Sequence, residues 1–70
     1  MKALLKARRV KEILIKRNLS QNNFAYRVGT NSGYMSQLMS GLRCPSPELR
    51  QKIMEFLKVS NFDELFRIKN

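Results

Sequence analysis

Apolar residues recur at helical spacing along most of the chain. In residues 3 to 17, Val10, Ile13 and Leu14 fall on one face, and lysines and arginines occupy many of the other positions. A stripe with this spacing predicts an amphipathic helix. Asn18 follows the stripe, and we expect the first helix to end there.

A second helix is predicted in QNNFAYRV, directly after Ser20. Ser20 is a favourable N-cap because its hydroxyl can accept a hydrogen bond from a free backbone amide. Phe24 and Val28 are one turn apart, and the small Ala25 lies beside them. Gly29 follows Val28 in the position where many helices end with a left-handed residue.

The segment GTNSGYMSQLMSG, residues 29 to 41, contains all three glycines of the chain and still predicts a third helix. Asn31, or Thr30 one residue earlier, is expected to cap its start, and Gly41 to end it. The first and last glycines therefore mark helix ends, with a helix between them. The apolar face of this helix is formed by Met35, Leu38 and Met39.

Two more helices are predicted in the last third of the chain. Ser46, with Pro47 after it, is expected to start the fourth helix. Ser60 and Asp63 form a capping-box pattern for a short fifth helix. Residues 67 to 70 are expected to fray. The side chains expected to be buried in these two helices are Leu49, Ile53, Phe56, Leu57, Leu65 and Phe66.

No segment shows the sustained alternation of a β-strand, and no Asn-Gly or Asp-Gly hairpin turn occurs. The sequence therefore predicts an all-α fold, a compact bundle of five short helices. A chain of 70 residues has room for one domain, residues 1 to 70. We expect its core to span about residues 8 to 66.

The net charge of +9 is distributed unevenly. Residues 1 to 43 contain nine basic side chains and one acidic side chain, whereas residues 44 to 70 contain five basic and four acidic ones. Such an asymmetry favours a polyanionic partner, either nucleic acid or anionic lipid. The alternative is a charged surface that only keeps a small protein in solution.

Composition argues against several other classes of function. The chain has no histidine and one cysteine, Cys44, so no nucleophile–base pair or metal-ligand cluster is recognisable. We therefore expect no enzymatic activity, no metal and no cofactor, and we interpret Cys44 as an inert turn thiol. No apolar run approaches the roughly 18 residues of a membrane span. A cytoplasmic protein is expected.

The second and third predicted helices have the spacing of a helix-turn-helix. The small Ala25 lets two helices approach, and Gly29 comes four residues later in the turn. Met35 and Leu38 then point back toward the core. A generic helical hairpin is the alternative, but it would not need all of these features together.

The stretch LSQNNFAYRVGTNSGYMSQLMSGLRCPSPEL resembles the helix-turn-helix domains of the Cro and phage-repressor type, also called the lambda-repressor-like or XRE family. The ending VSNFDELF is similar to the family's ending with one extra residue, and the resemblance covers roughly residues 8 to 66. The matching positions are Leu19, Ser20, Gln21, Phe24, Ala25, Val28, Gly29, Tyr34, Ser36, Gln37, Leu38, Gly41, Pro45 and Ser46.

This resemblance implies that the third helix enters the major groove of double-stranded DNA. Gln37 is the best candidate for base reading, because its amide can pair with adenine N6 and N7. The alternative is an exposed helix residue that makes no contact with DNA. Gly33 stands where the family often has a base-reading side chain; it could bring the helix closer to DNA or simply be tolerated. The full set of expected base-reading residues is Gln37, Ser36, Ser32 and Gly33.

Phosphate contacts are expected around the same helices. Gln21 and Asn31 lie at helix N-termini, where free amides and the positive end of the dipole attract anions, although both could be plain caps. Tyr34 could contact a phosphate through its hydroxyl or pack its ring beside the first helix. The full set of expected phosphate-binding residues is Gln21, Asn31, Tyr34, Arg43 and Arg27.

The leading functional hypothesis is sequence-specific DNA binding by a small transcriptional regulator, a repressor from a phage, mobile element or bacterial chromosome. A homodimer on a pseudo-palindromic operator is expected from the resemblance. The alternative is an antitoxin that binds a toxin through Phe62, Phe66 and Ile68 and represses its own promoter. A cationic membrane binder built on the N-terminal helix is a third class.

Overall fold

The computed structural model describes all 70 residues and contains five helices and two short strands. The predicted bundle of five short helices is confirmed, but the fold is not purely all-α because it also contains a small two-stranded sheet. In chain order the elements are β1 (Lys2–Leu5), α1 (Ala7–Lys16), α2 (Gln21–Arg27), α3 (Ser32–Ser40), α4 (Pro47–Leu57), α5 (Phe62–Leu65) and β2 (Phe66–Lys69).

The two strands pair antiparallel and join the ends of the chain. Leu5 lies opposite Phe66, and both are buried in the core. The backbone amide of Lys6 also donates to the carbonyl of Leu65 at 2.7 Å. The first helix therefore begins at Ala7 rather than at residue 3, and residues 66 to 69 are paired rather than frayed.

A single apolar cluster holds the helices together. Met35 and Leu38 of α3 are fully buried, as predicted, whereas Met39 is only partly buried and packs at the edge of the cluster. Phe66 is also fully buried, so it cannot belong to an exposed partner-binding surface. The buried apolar residues are Leu5, Val10, Ile13, Leu14, Phe24, Ala25, Val28, Met35, Leu38, Ile53, Leu57, Leu65 and Phe66.

Side-chain caps start four of the helices, and three of these caps are the predicted ones. Ser20, Asn31 and Ser46 each accept a hydrogen bond from the backbone amide three residues later, at 2.8 to 3.2 Å. The last helix is capped by Asn61 rather than Ser60, because the Asn61 side chain accepts from the Asp63 amide at 3.1 Å. A shorter Asx-type contact replaces the predicted capping box.

The C-terminal end of α4 is capped by the side chain of Arg17, the residue that follows α1. The Arg17 guanidinium donates to the carbonyl oxygens of Phe56, at 3.1 Å, and Leu57. These carbonyls have no partner within their own helix and carry the negative end of its dipole. Arg17 thus connects the ends of α1 and α4.

Replacing Arg17 with methionine is expected to lower the free energy of unfolding by about 1–2 kcal/mol, because two carbonyls lose a charged donor. Urea denaturation measures this change. Arg8→Met, at an exposed position of α1, is the matched control and should change stability by less than about 0.5 kcal/mol. If both substitutions lowered the free energy of unfolding by the same amount, the cause would be the change in net charge and not the loss of the cap.

Candidate nucleic-acid interface

The turn between α2 and α3 has a regular hydrogen-bonded form. The Gly29 amide donates to Tyr26 at 3.1 Å, and the Thr30 amide donates to Ala25 at 2.9 Å. Together with the left-handed Gly29 (φ +84°), this is a Schellman motif. Ala25 has no exposed surface, so α3 can pack closely against α2 at this point. The predicted helix-turn-helix geometry is confirmed.

The outward side of α3 is polar throughout. Met35 and Leu38 face the core and have no exposed surface. The residues before Met35 and those between Met35 and Leu38 face solvent, and none of them has an apolar side chain, apart from the half-buried Tyr34. All four expected base-reading residues are exposed on this helix: Ser32, Gly33, Ser36 and Gln37.

Glycine is not required at position 33 by the fold of this chain. Gly33 does not have the positive φ of Gly29 and Gly41. A Cβ added there would lie 3.5 Å from Asn31 Oδ1, an ordinary contact distance. The space gained by glycine therefore lies on the outer surface of α3, where a docked molecule would come close to the backbone.

Arg43 is held against the C-terminal half of α3 by two contacts. Its Nε donates to Gln37 Oε1, and its guanidinium carbon lies 5.7 Å from the centre of the Tyr34 ring. The second distance is that of a cation–π contact. Arg43 thus links a candidate base-reading residue to a candidate phosphate-binding residue.

The backbone turn after α3 creates this arrangement. Gly41 has a left-handed backbone conformation (φ +83°), and the Leu42 amide donates a hydrogen bond to the Gln37 carbonyl at 3.0 Å. These features form a second Schellman motif. The Arg43 amide also donates to that carbonyl, at 3.3 Å. The link between Gln37 and Arg43 was not predicted, because it depends on a chain reversal that only the turn geometry defines.

The remaining expected phosphate-binding residues lie at the ends of the two helices. Asn31 uses its Oδ1 to cap α3, so its side-chain NH2 group stays available to an anion. Gln21 is half-buried at the start of α2, and Arg27 is exposed at its end. Tyr34 is half-buried, and its ring faces the same groove as Leu4 of β1.

Carboxylates neutralise few of the cations in this protein. The two ion pairs both involve Arg9, which lies 4.0 Å from Glu12 and 3.8 Å from Glu64. Arg27 and Arg43 have no ion-pair partner, and neither do the lysines. The cationic surface near the helix-turn-helix is thus free to attract a polyanion.

The helix-turn-helix family model matches residues 10–65, most of the chain. No curated protein and no solved structure gives a significant match. No helix of the protein has both the length and the apolar character needed to cross a membrane.

Proposed function

The chain belongs to the Cro/C1-type (XRE) family of helix-turn-helix DNA-binding proteins, and on this basis we propose that it is a transcriptional repressor that recognises a specific operator through α3. In this proposal α3 lies in the major groove with its exposed polar side toward the bases. The protein represses by occupying an operator in a phage, mobile element or bacterial chromosome. It acts in the cytoplasm, where that DNA is found.

The observation that carries the proposal is the position of Gln37. Its side chain is exposed on the outer side of α3, and the contact with Arg43 fixes one amide oxygen lone pair. The second lone pair and the NH2 group remain free. Adenine offers the complementary groups in the major groove, a donor at N6 and an acceptor at N7. An amide held in one orientation loses less conformational entropy on binding.

The antitoxin alternative has less support. It requires an apolar C-terminal surface, and Phe66, one of the three side chains expected there, is buried in the core. Ile68 remains 61% exposed and Phe62 is half-buried. The DNA-binding proposal does not have this difficulty, because all four of its candidate base-reading residues are exposed.

The test is to select duplexes from a random-sequence pool with the protein and to titrate the selected duplex and a scrambled duplex by fluorescence anisotropy. We expect Gln37→Ala to lower the ratio of the two affinities by at least about fivefold, since one bidentate base contact contributes about 1–3 kcal/mol of discrimination. Binding to the scrambled duplex is expected to change little.

Gln51→Ala is the matched control, because Gln51 is an exposed glutamine on α4. Gln51→Ala should leave the ratio of affinities for the selected and scrambled duplexes unchanged. Selection that enriches no sequence would contradict the proposal and leave attraction by net charge as the only interaction with DNA. If a sequence is enriched but Gln37→Ala leaves the ratio of affinities for the selected and scrambled duplexes unchanged, other residues of α3 read the bases.

A further inference from the structure

A basic groove lies between the two-stranded sheet and the turn after α3. We call it the strand groove; its volume is about 480 Å³. Lys2 and Lys69 line one side and Arg43 lines the other, with Leu4 and Tyr34 among the apolar residues between them. No Asp or Glu side chain lines this groove.

The two lysines are placed unfavourably for folding. Lys2 and Lys69 are directly opposite each other in the antiparallel pair, so their side chains leave the sheet on the same face. Like charges in this arrangement repel. Neither lysine forms an ion pair with a carboxylate of the chain. The sheet therefore carries a repulsion that an external anion would relieve.

The strand groove is continuous with the DNA-reading surface. Arg43 contributes to both, because it lines the groove and also donates to Gln37 on the outer side of α3. Strand β1 packs against α3. A duplex that seats Gln37 in its major groove would therefore bring an adjoining phosphate strand toward Lys2 and Lys69.

We propose that the strand groove is a second DNA-backbone site, in which Lys2 and Lys69 bind phosphates that flank the base pairs contacted by α3. This inference rests on the proposed function. It assigns a binding role to the two terminal strands, which lie outside the helix-turn-helix. Pairing of this sheet with a second copy of the chain is opposed by the same charges, since the strands carry three basic residues, Lys2, Arg67 and Lys69, and no acidic residue.

The test compares the double variant Lys2→Gln/Lys69→Gln with the double variant Lys16→Gln/Lys58→Gln. Both remove two positive charges, so the long-range attraction to DNA falls equally. Lys16 and Lys58 line a different hollow, at the C-terminal ends of α1 and α4. Affinity for the selected duplex is measured at several salt concentrations.

We expect the Lys2/Lys69 variant to have a log–log salt slope shallower than that of its control by about 1.8, because each phosphate contact on duplex DNA contributes about 0.9. The ratio of affinities for selected and scrambled duplexes should stay the same. A slope equal to that of the control would overturn the proposal. A wild-type protein without preference for the selected duplex would instead refute the proposed function.

Thermal unfolding separates a binding role from a structural one. The melting temperature of the Lys2→Gln/Lys69→Gln variant should be unchanged or higher at low salt, because the substitution removes a repulsive pair. Weaker DNA binding combined with equal or greater stability supports the site. A lower melting temperature with an unchanged salt slope would assign the two lysines to folding and reject the site.

Discussion

Replacing Phe66 with alanine is expected to remove a large part of the free energy of unfolding and to lower the melting temperature sharply. Phe66 has no exposed surface, and its ring centre lies 5.1 Å from that of Phe62. Truncating a buried phenylalanine costs about 3–5 kcal/mol. At about 0.05–0.15 kcal/mol per residue, a domain of this size has a total stability of the same order. The loss of far-UV circular dichroism on heating measures the effect.

Ile68→Ala is the control for Phe66→Ala. Ile68 is in the same strand but is 61% exposed. We expect its truncation to change stability by no more than about 0.5 kcal/mol. If Phe66→Ala melted at the wild-type temperature, burial of the Phe66 ring would not be important for the stability of the core. If both variants unfolded alike, backbone pairing would matter more than the buried ring.

The helices could be predicted from the sequence because their signals are local. Ser20, Asn31 and Ser46 are caps whose partner is three residues away, and Gly29 and Gly41 end helices through contacts within one turn. Each signal lies in one short window of the sequence. Burial of Met35 and Leu38 follows equally from helical spacing.

The strands could not be predicted because their signal is not local. Leu5 and Phe66 are opposite each other in the sheet but stand at the two ends of the sequence. Four-residue strands are too short to show a clear alternation, and no hairpin turn connects them. The helical stripe of Val10, Ile13 and Leu14 could also be extended backward over residues 3 to 6, which the structure assigns mainly to β1.

The same distinction applies to the candidate interface. Exposure of Ser36 and Gln37 on α3 follows from the spacing of the buried residues, so the sequence predicts which side chains point outward. The contact of Arg43 with Gln37 and Tyr34 depends on the turn at Gly41. The strand groove depends on the unpredicted sheet. The sequence therefore predicts which side chains of α3 are exposed, but it does not predict the contacts of Arg43 or the strand groove beside the helix.

Replacing Arg43 with alanine is expected to weaken binding to the selected duplex by about 1.5–3 kcal/mol, the contribution of a hydrogen bond to a charged group. This corresponds to roughly a 10- to 150-fold higher Kd. Specificity should fall as well, because Gln37 loses the donor that orients its amide. The two effects are measured by anisotropy on the selected and scrambled duplexes.

A double-mutant cycle with Gln37→Ala separates the two roles of Arg43. If Arg43 orients Gln37, removing Arg43 lowers the affinity ratio only while Gln37 is present, whereas the loss of phosphate binding persists in both backgrounds. Arg27→Ala, at the exposed end of α2, removes the same charge without touching Gln37. It should reduce affinity for both duplexes alike. Additive effects of Arg43→Ala and Gln37→Ala on the ratio would show that the hydrogen bond between them does not contribute to sequence reading.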